Sequence, residues 1–137
     1  MNEITFSYKT YKKTHYPIIP IEITNKRTKI KTNAYVDSGA SLSVFSIKEA
    51  VRLGLDRRSG RKATITVGDG SFVTIHLHRL SVKIGHSHLK ATIGFSPRLS
   101  VNLIGRKDIF EFFDITLSDK DKIVSFYPRK ASIKPAD

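Results

Sequence analysis

Apolar residues in this chain fall mainly on alternate positions, in short runs separated by turn-forming residues. Ile4, Phe6 and Tyr8 alternate loosely ahead of a basic segment, so residues 1–16 are expected to form an N-terminal arm or an edge strand. In 17–24, Ile19, Ile21 and Ile23 share one face of a strand, and Pro17 and Pro20 favour an edge position at its start. Asn25-Lys26-Arg27 reads as a turn, and 28–36, rich in β-branched residues, as the returning strand. After a short apolar run at 42–45, Ser46 and Glu49 have the spacing of a capping box. They predict a helix through Ala50, Val51 and Leu53 that Gly54 ends. Segments 62–67 and 71–77 alternate about Gly68-Asp69-Gly70, a strong hairpin turn, and 79–84 and 89–95 form another pair about Gly85-His86-Ser87-His88. An apolar strand at 101–106, a short helix over 107–113 burying Ile109, Phe110 and Phe113, and a hairpin of 115–117 with 123–127 complete the pattern. Many short strands with one or two short helices predict an all-β domain, a small barrel or sandwich.

The alternation breaks most sharply after Tyr35-Val36, where Asp37-Ser38-Gly39-Ala40 interrupts two apolar runs. A carboxylate placed there sits where a strand surfaces from a core, and Gly39 lets the backbone turn tightly or approach another chain closely.

Composition narrows the class. A length of 137 residues suits one domain with a modest core, and 39% hydrophobic residues suit a globular fold. The absence of cysteine excludes disulfides, thiolate metal sites and a cysteine nucleophile, and it suits a reducing compartment. The N-terminus lacks a basic and then apolar leader, and no apolar run approaches membrane-spanning length, so the expectation is a soluble cytoplasmic protein with no membrane partner. A net charge of +12 favours acidic partners, nucleic acid above all, but the basic residues are scattered and no RNA-binding motif with interleaved aromatics accompanies them. Nucleic-acid binding is therefore not the favoured function. The lack of Gln and Trp and the single Met hint at a heat-adapted source.

Two chemical readings are set aside at this stage. His76, His78, His86 and His88 form two His-x-His pairs that a hairpin would have to bring together around a metal, but no carboxylate accompanies them closely. Ser38, Ser41 and Ser43 near Asp37 raise a serine triad, yet the chain has no Gly-x-Ser-x-Gly elbow. No metal and no other cofactor are expected.

Read together, Asp37-Ser38-Gly39-Ala40, the helix ending in Leu53-Gly54-Leu55, the glycine-flanked hairpin and Asn102-Leu103-Ile104-Gly105-Arg106 resemble the retropepsins, the retroviral-type aspartic proteases and their cellular relatives. The resemblance covers roughly 17–127, leaving 1–16 as the arm or edge strand and 128–137 as a basic, frayed tail. It implies a small closed β-barrel of the retropepsin (acid-protease) type, forming a symmetric homodimer. The implied activity is that of an aspartic endopeptidase, in which two facing carboxylates share a proton because both cannot ionise cheaply. This chain has a single Asp-Ser-Gly, so the pair would be two copies of Asp37, one per subunit.

By the same resemblance, Ser38, Gly39 and Ala40 would support the catalytic loop, and Ile104, Gly105 and Arg106 would lie beneath it. Tyr35, Val101 and Leu103 would form pocket walls preferring apolar side chains, and Val67, Gly68, Asp69 and Gly70 would form a flap closing over a peptide or protein substrate. There are departures. Ser41 stands where retroviral enzymes often carry an acid that pairs with the arginine after the late glycine, so Arg106 needs another partner, for which Asp108 is the candidate. The flap has fewer glycines than the viral type, and both ends are extended. These features point to a cellular or prokaryotic relative. The rival reading is a domain of the same fold that binds protein or nucleic acid without cleaving.

Overall fold

The computed structural model describes residues 3–56 and 59–129. The strands are β1 (Ile4–Ser7), β2 (Lys9–Tyr11), β3 (Thr14–Tyr16), β4 (Ile18–Asn25), β5 (Thr28–Val36), β6 (Ser43–Ser46), β7 (Arg61–Thr66), β8 (Phe72–Ile84), β9 (Ser87–Ser96), β10 (Leu103–Ile104), β11 (Phe113–Ser118) and β12 (Ile123–Pro128), with one helix, α1 (Ile47–Arg52). Arg57, Arg58 and the tail from 130 onward, included among the basic residues and the frayed segment above, lie outside the described residues.

The architecture is mostly β, as expected. The β4–β5 hairpin buries Ile19, Ile21 and Ile23 on one face, with Ala34 and Val36 of β5 joining them. Seven strands form a sheet in the order β4-β5-β10-β6-β9-β8-β7. β4 also pairs with β8, through Glu22 with Lys83, Ile23 with Val82 and Thr24 with Ser81, so the sheet curls back on itself. A second sheet, β1-β12-β11, packs Phe6 and Phe113 edge-on against Phe126 at 5.8 and 5.2 Å. β1 therefore belongs to a paired sheet, with Ile4 buried in the main core. Among the described residues, no helix is long and apolar enough to cross a membrane.

Five local expectations are revised. Segments 71–77 and 79–84 are one continuous strand, β8. Its buried positions are Val73 and Ile75 in the first half and Leu80, Val82 and Ile84 in the second, so the inward face switches along the strand. The first half pairs with β7 and packs on a small cluster with Val44, whereas the second pairs with β4 and joins the main core. The change of partner needs no break in the chain. The turn after β8 is also shorter than expected, because Ser87 and His88 already belong to β9.

The late apolar strand shortens to Leu103–Ile104, and the helix over 107–113 is a single irregular turn at Arg106–Phe110. Asp108 there has φ +67 and Lys107 is extended, which precludes a continuous helix. The Asp108 carboxylate is drawn away to accept the Thr92 N–H at 2.7 Å and the Arg79 guanidinium at 3.0 Å. Finally, the capping box is half formed. Ser46 caps α1 by accepting the Lys48 N–H at 3.3 Å, and Gly54 at φ +71 follows the helix end, but Glu49 turns into the interior.

Candidate active site

β5 and β10 lie parallel, Tyr35 opposite Leu103 and Val36 opposite Ile104, and β5 runs out directly into Asp37. The Asp37 N–H donates to the Ile104 carbonyl at 3.0 Å, which fixes the residue at the strand end. Its Oδ1 accepts the Gly39 N–H at 2.9 Å, and its carbonyl accepts the Ala40 N–H at 3.1 Å, closing a tight turn that sets the carboxylate plane. A side chain at 39 would begin 3.2 Å from that Oδ1, so glycine keeps the turn compact. The loop is then stapled to the segment after β10. Arg106 and Lys107 donate backbone N–H groups to the carbonyls of Ala40 and Ser41 at 2.8 and 3.0 Å, and the Gly105 N–H donates to Ser43 Oγ at 3.0 Å.

Asp37, Gly39 and Ala40 line a cleft of about 510 Å³. Leu42, Val44 and Leu103 supply apolar wall, Ile65, Thr66, Val67 and Gly68 come from the β7–β8 hairpin, and Ser96, Arg98 and Leu99 from the loop after β9. Alternation along β7 puts Ala63, Ile65 and Val67 toward the small apolar cluster, so the hairpin stands beside the cleft on a packed base. At its tip the Val67 N–H donates to Ser71 and the Gly70 N–H to Val67, both at 2.9 Å, with Gly70 at φ +86. Asp69 accepts the Ser71 hydroxyl at 2.6 Å and its N–H at 2.9 Å. These bonds, with a smaller contribution from the Arg98 charge, hold its carboxyl below the ordinary carboxylate range.

The structure thus brings Asp37, Gly39, Ala40, Val67, Gly68 and Leu103 to one cleft. Ser38 is exposed at the loop, and Asp69 and Gly70 sit at the exposed hairpin tip, outside the cleft lining. Tyr35 and Val101 line a separate depression of about 430 Å³. Val36 points into the core, so its neighbour Tyr35 must face away from it. Ile104 and Gly105 are buried, while Arg106 is exposed. The partner suggested for Arg106, Asp108, is instead held by Arg79 and Thr92.

Sequence reading missed the support behind the loop. Asn102 is buried, and its side chain donates to Thr32 Oγ1, the Asn33 carbonyl and Glu49 Oε2 at 3.2, 2.9 and 2.9 Å, while its Oδ1 accepts the Ser46 N–H at 2.8 Å. Its carbonyl accepts the Tyr35 N–H at 2.8 Å. Glu49 also accepts the Thr32 hydroxyl and, at 2.7 Å, the Arg52 guanidinium. Burial pushes the Glu49 carboxyl up, but hydrogen bonds from Thr32, Asn102 and Arg52 outweigh it and hold the group below its ordinary value. A polar Asn inside the apolar run 101–104 was the available signal.

The histidines do not converge. His78 lies opposite Ile93 and His88 opposite Lys83, five residues further along β9, or roughly 16 Å. His76 donates from Nδ1 to the Ser59 carbonyl at 3.1 Å, and His78 packs edge-on against Phe95. Among the described residues, no group of three His, Asp or Glu is arranged to hold a metal ion.

Comparison with known proteins identifies the family and the fold. A family model described as "Aspartyl protease" matches residues 19–106, more than half of the chain. A retropepsin-like aspartic protease from Rickettsia conorii superposes with a TM-score of 0.67 at 23% identity, over 92% of this chain and 91% of that one. An EIAV protease in complex with an inhibitor superposes with a TM-score of 0.53, also at 23% identity, over 75% of this chain and 92% of that one. The fold is therefore retropepsin-like. No curated protein matches the chain.

Proposed function

Because the chain belongs to the aspartyl protease family, we propose that it is an aspartic endopeptidase whose catalytic carboxylates are two copies of Asp37, one from each subunit of a homodimer. The observation that carries this reading is the Asp37 carboxylate itself. It is fixed by the Gly39 N–H on a turn stapled to β10 and lies at the edge of an apolar cleft.

In the dimer the two carboxylates share one proton. The ionised member removes a proton from a bound water, whose oxygen attacks the peptide carbonyl carbon. The protonated member gives its proton to the carbonyl oxygen, forming a gem-diol. Collapse of that intermediate breaks the C–N bond as a proton passes to the leaving amine. Ser38, exposed at the loop, would bond across the two-fold axis. The Val67–Gly70 tip would close over the substrate and exclude water. Leu103, with Leu42, Val44 and Ile65, would receive apolar side chains beside the scissile bond. Tyr35 and Val101 would act on substrate residues further from that bond. The additional β4–β8 pairing supports a closed barrel in each subunit, and the cysteine-free chain suits a cytoplasmic setting.

The test is peptide cleavage at mildly acidic pH by the wild type and by Asp37→Asn, with solution size measured alongside. Cleavage by the wild type alone is expected, with specific activity falling on dilution as dimers dissociate. Equal activity in both proteins, or a strict monomer that still cleaves, overturns the shared pair. A wild type without cleavage activity would favour the non-catalytic binding reading.

A further inference from the structure

We propose that Glu49 is a positioning residue for Asp37: by holding Asn102 between α1 and β5, its carboxylate keeps β10 in register with β5 and so fixes the loop that carries Asp37. The connection is short and continuous. Glu49 Oε2 accepts from Asn102 and from Thr32 of β5. Asn102 in turn binds the carbonyl of Asn33, and its own carbonyl receives the Tyr35 N–H. The next two residues, Leu103 and Ile104, pair with Tyr35 and Val36, and the Ile104 carbonyl holds the Asp37 N–H. A shift at Asn102 is passed along this ladder to Asp37.

The chemistry explains why a carboxylate is needed. Three donors converge on Glu49: the Thr32 hydroxyl, the Asn102 amide and the Arg52 guanidinium. A carboxylate is acceptor-only and can satisfy all three, whereas a protonated acid or a glutamine amide must aim at least one hydrogen toward the cluster. The group is buried, so a mismatched donor has little water to turn to. Arg52 is the charged partner, from α1, and Lys48 of α1 lines the same depression. The groups bonded to Glu49 from β5 and the segment before β10 are the uncharged Thr32 and Asn102. Glu49 is thus the one protonation-sensitive member of the scaffold, and protonation loosens it from behind the catalytic loop.

The kinetic part of this inference rests on the protease reading, but its structural part does not, and the experiment separates them. Amide hydrogen exchange at Tyr35 and Asp37 is measured in the full chain for wild type, Glu49→Gln, and Glu49→Gln combined with Arg52→Met, together with kcat and KM for peptide cleavage. Glu49→Gln is expected to speed exchange at both amides and to lower kcat roughly ten- to a hundredfold with KM little changed, as small misplacement of a reacting group does. Removing Arg52 lets the glutamine NH₂ face the vacated side while its oxygen still accepts from Thr32 and Asn102, so the double variant is expected to recover protection and kcat. In wild type, protection at Tyr35 and Asp37 should fall with pH before global unfolding. That measurement decides the matter even where Glu49→Gln does not fold. Unchanged exchange at both amides in the single variant, or wild-type protection lost only with global unfolding, overturns the proposal. Faster exchange in a protein without cleavage activity supports the positioning role while removing the protease reading.

Discussion

Gly105 and Leu42 meet backbone to backbone: a Cβ at 105 would lie 2.4 Å from both the carbonyl carbon and the carbonyl oxygen of Leu42. No rotamer relieves that contact, because the obstacle is main chain. The two segments are tied on either side by the Gly105–Ser43 and Arg106–Ala40 hydrogen bonds, so a displacement at 105 must move the loop after Asp37.

Gly105→Ala is therefore expected to cost roughly 2–4 kcal/mol, within the range of severe core strain. Urea unfolding monitored by circular dichroism checks it. A loss below about 0.5 kcal/mol, the scale of an ordinary surface change, would show that the loop can yield. Peptide cleavage should fall further than stability alone accounts for, since the displaced segment bears on Asp37.

Glu49 gives stability a definite dependence on pH. Its folded carboxyl titrates below the ordinary value of 4.5, so its contribution is present above that value and is lost as pH falls through the folded one. Glu49→Gln is expected to be less stable than wild type by roughly 1–3 kcal/mol at neutral pH, the cost of a mismatched buried donor. The gap should narrow as pH falls from 4.5, where the unfolded wild-type chain takes up the proton, down through the lower folded value, below which the folded group also carries it. Urea midpoints across this range measure it, and a gap independent of pH would contradict the linkage.

Phe126 is fully buried at the centre of three aromatic rings and pairs across strands with Ile4 and Ile115. Phe126→Ala should destabilise by about 3–5 kcal/mol. Phe126→Leu should cost less, because it fills much of the space and forfeits mainly edge contacts worth about 0.5–1.5 kcal/mol each. Thermal unfolding of the two variants tests the order, and equal losses would mean that ring geometry, not volume, holds this sheet.

Much of the sheet was legible because its signals are local. Ile19, Ile21 and Ile23 alternate cleanly, and Gly68-Asp69-Gly70 marks its own turn. The Asp37 loop and Leu103-Ile104-Gly105 could be joined before folding because each is a short motif. β8 was not legible as one strand, since exchanging β7 for β4 as a partner leaves no mark at His76–Arg79 except a blurred alternation. Glu49 was misread for a different reason. Ser-x-x-Glu has the same spacing whether the acid turns back to cap the helix or inward to meet Asn102, and only the buried donors decide. Asp108 likewise looked available to Arg106 until folding brought Arg79 and the Thr92 amide to it.

The unbroken course of β8 also determines how the molecule can come apart. One end of the strand is anchored in the main core, while the other stands, among the described residues, on a cluster of three buried residues, Val44, Val73 and Ile75, edged by half-buried apolar side chains. Loosening that small cluster frees the hairpin beside the cleft and leaves Leu80, Val82 and Ile84 in place. The strand is thus a cantilever, clamped at one end and lightly seated at the other, and opening of the cleft beside it can draw on local melting without threatening the fold.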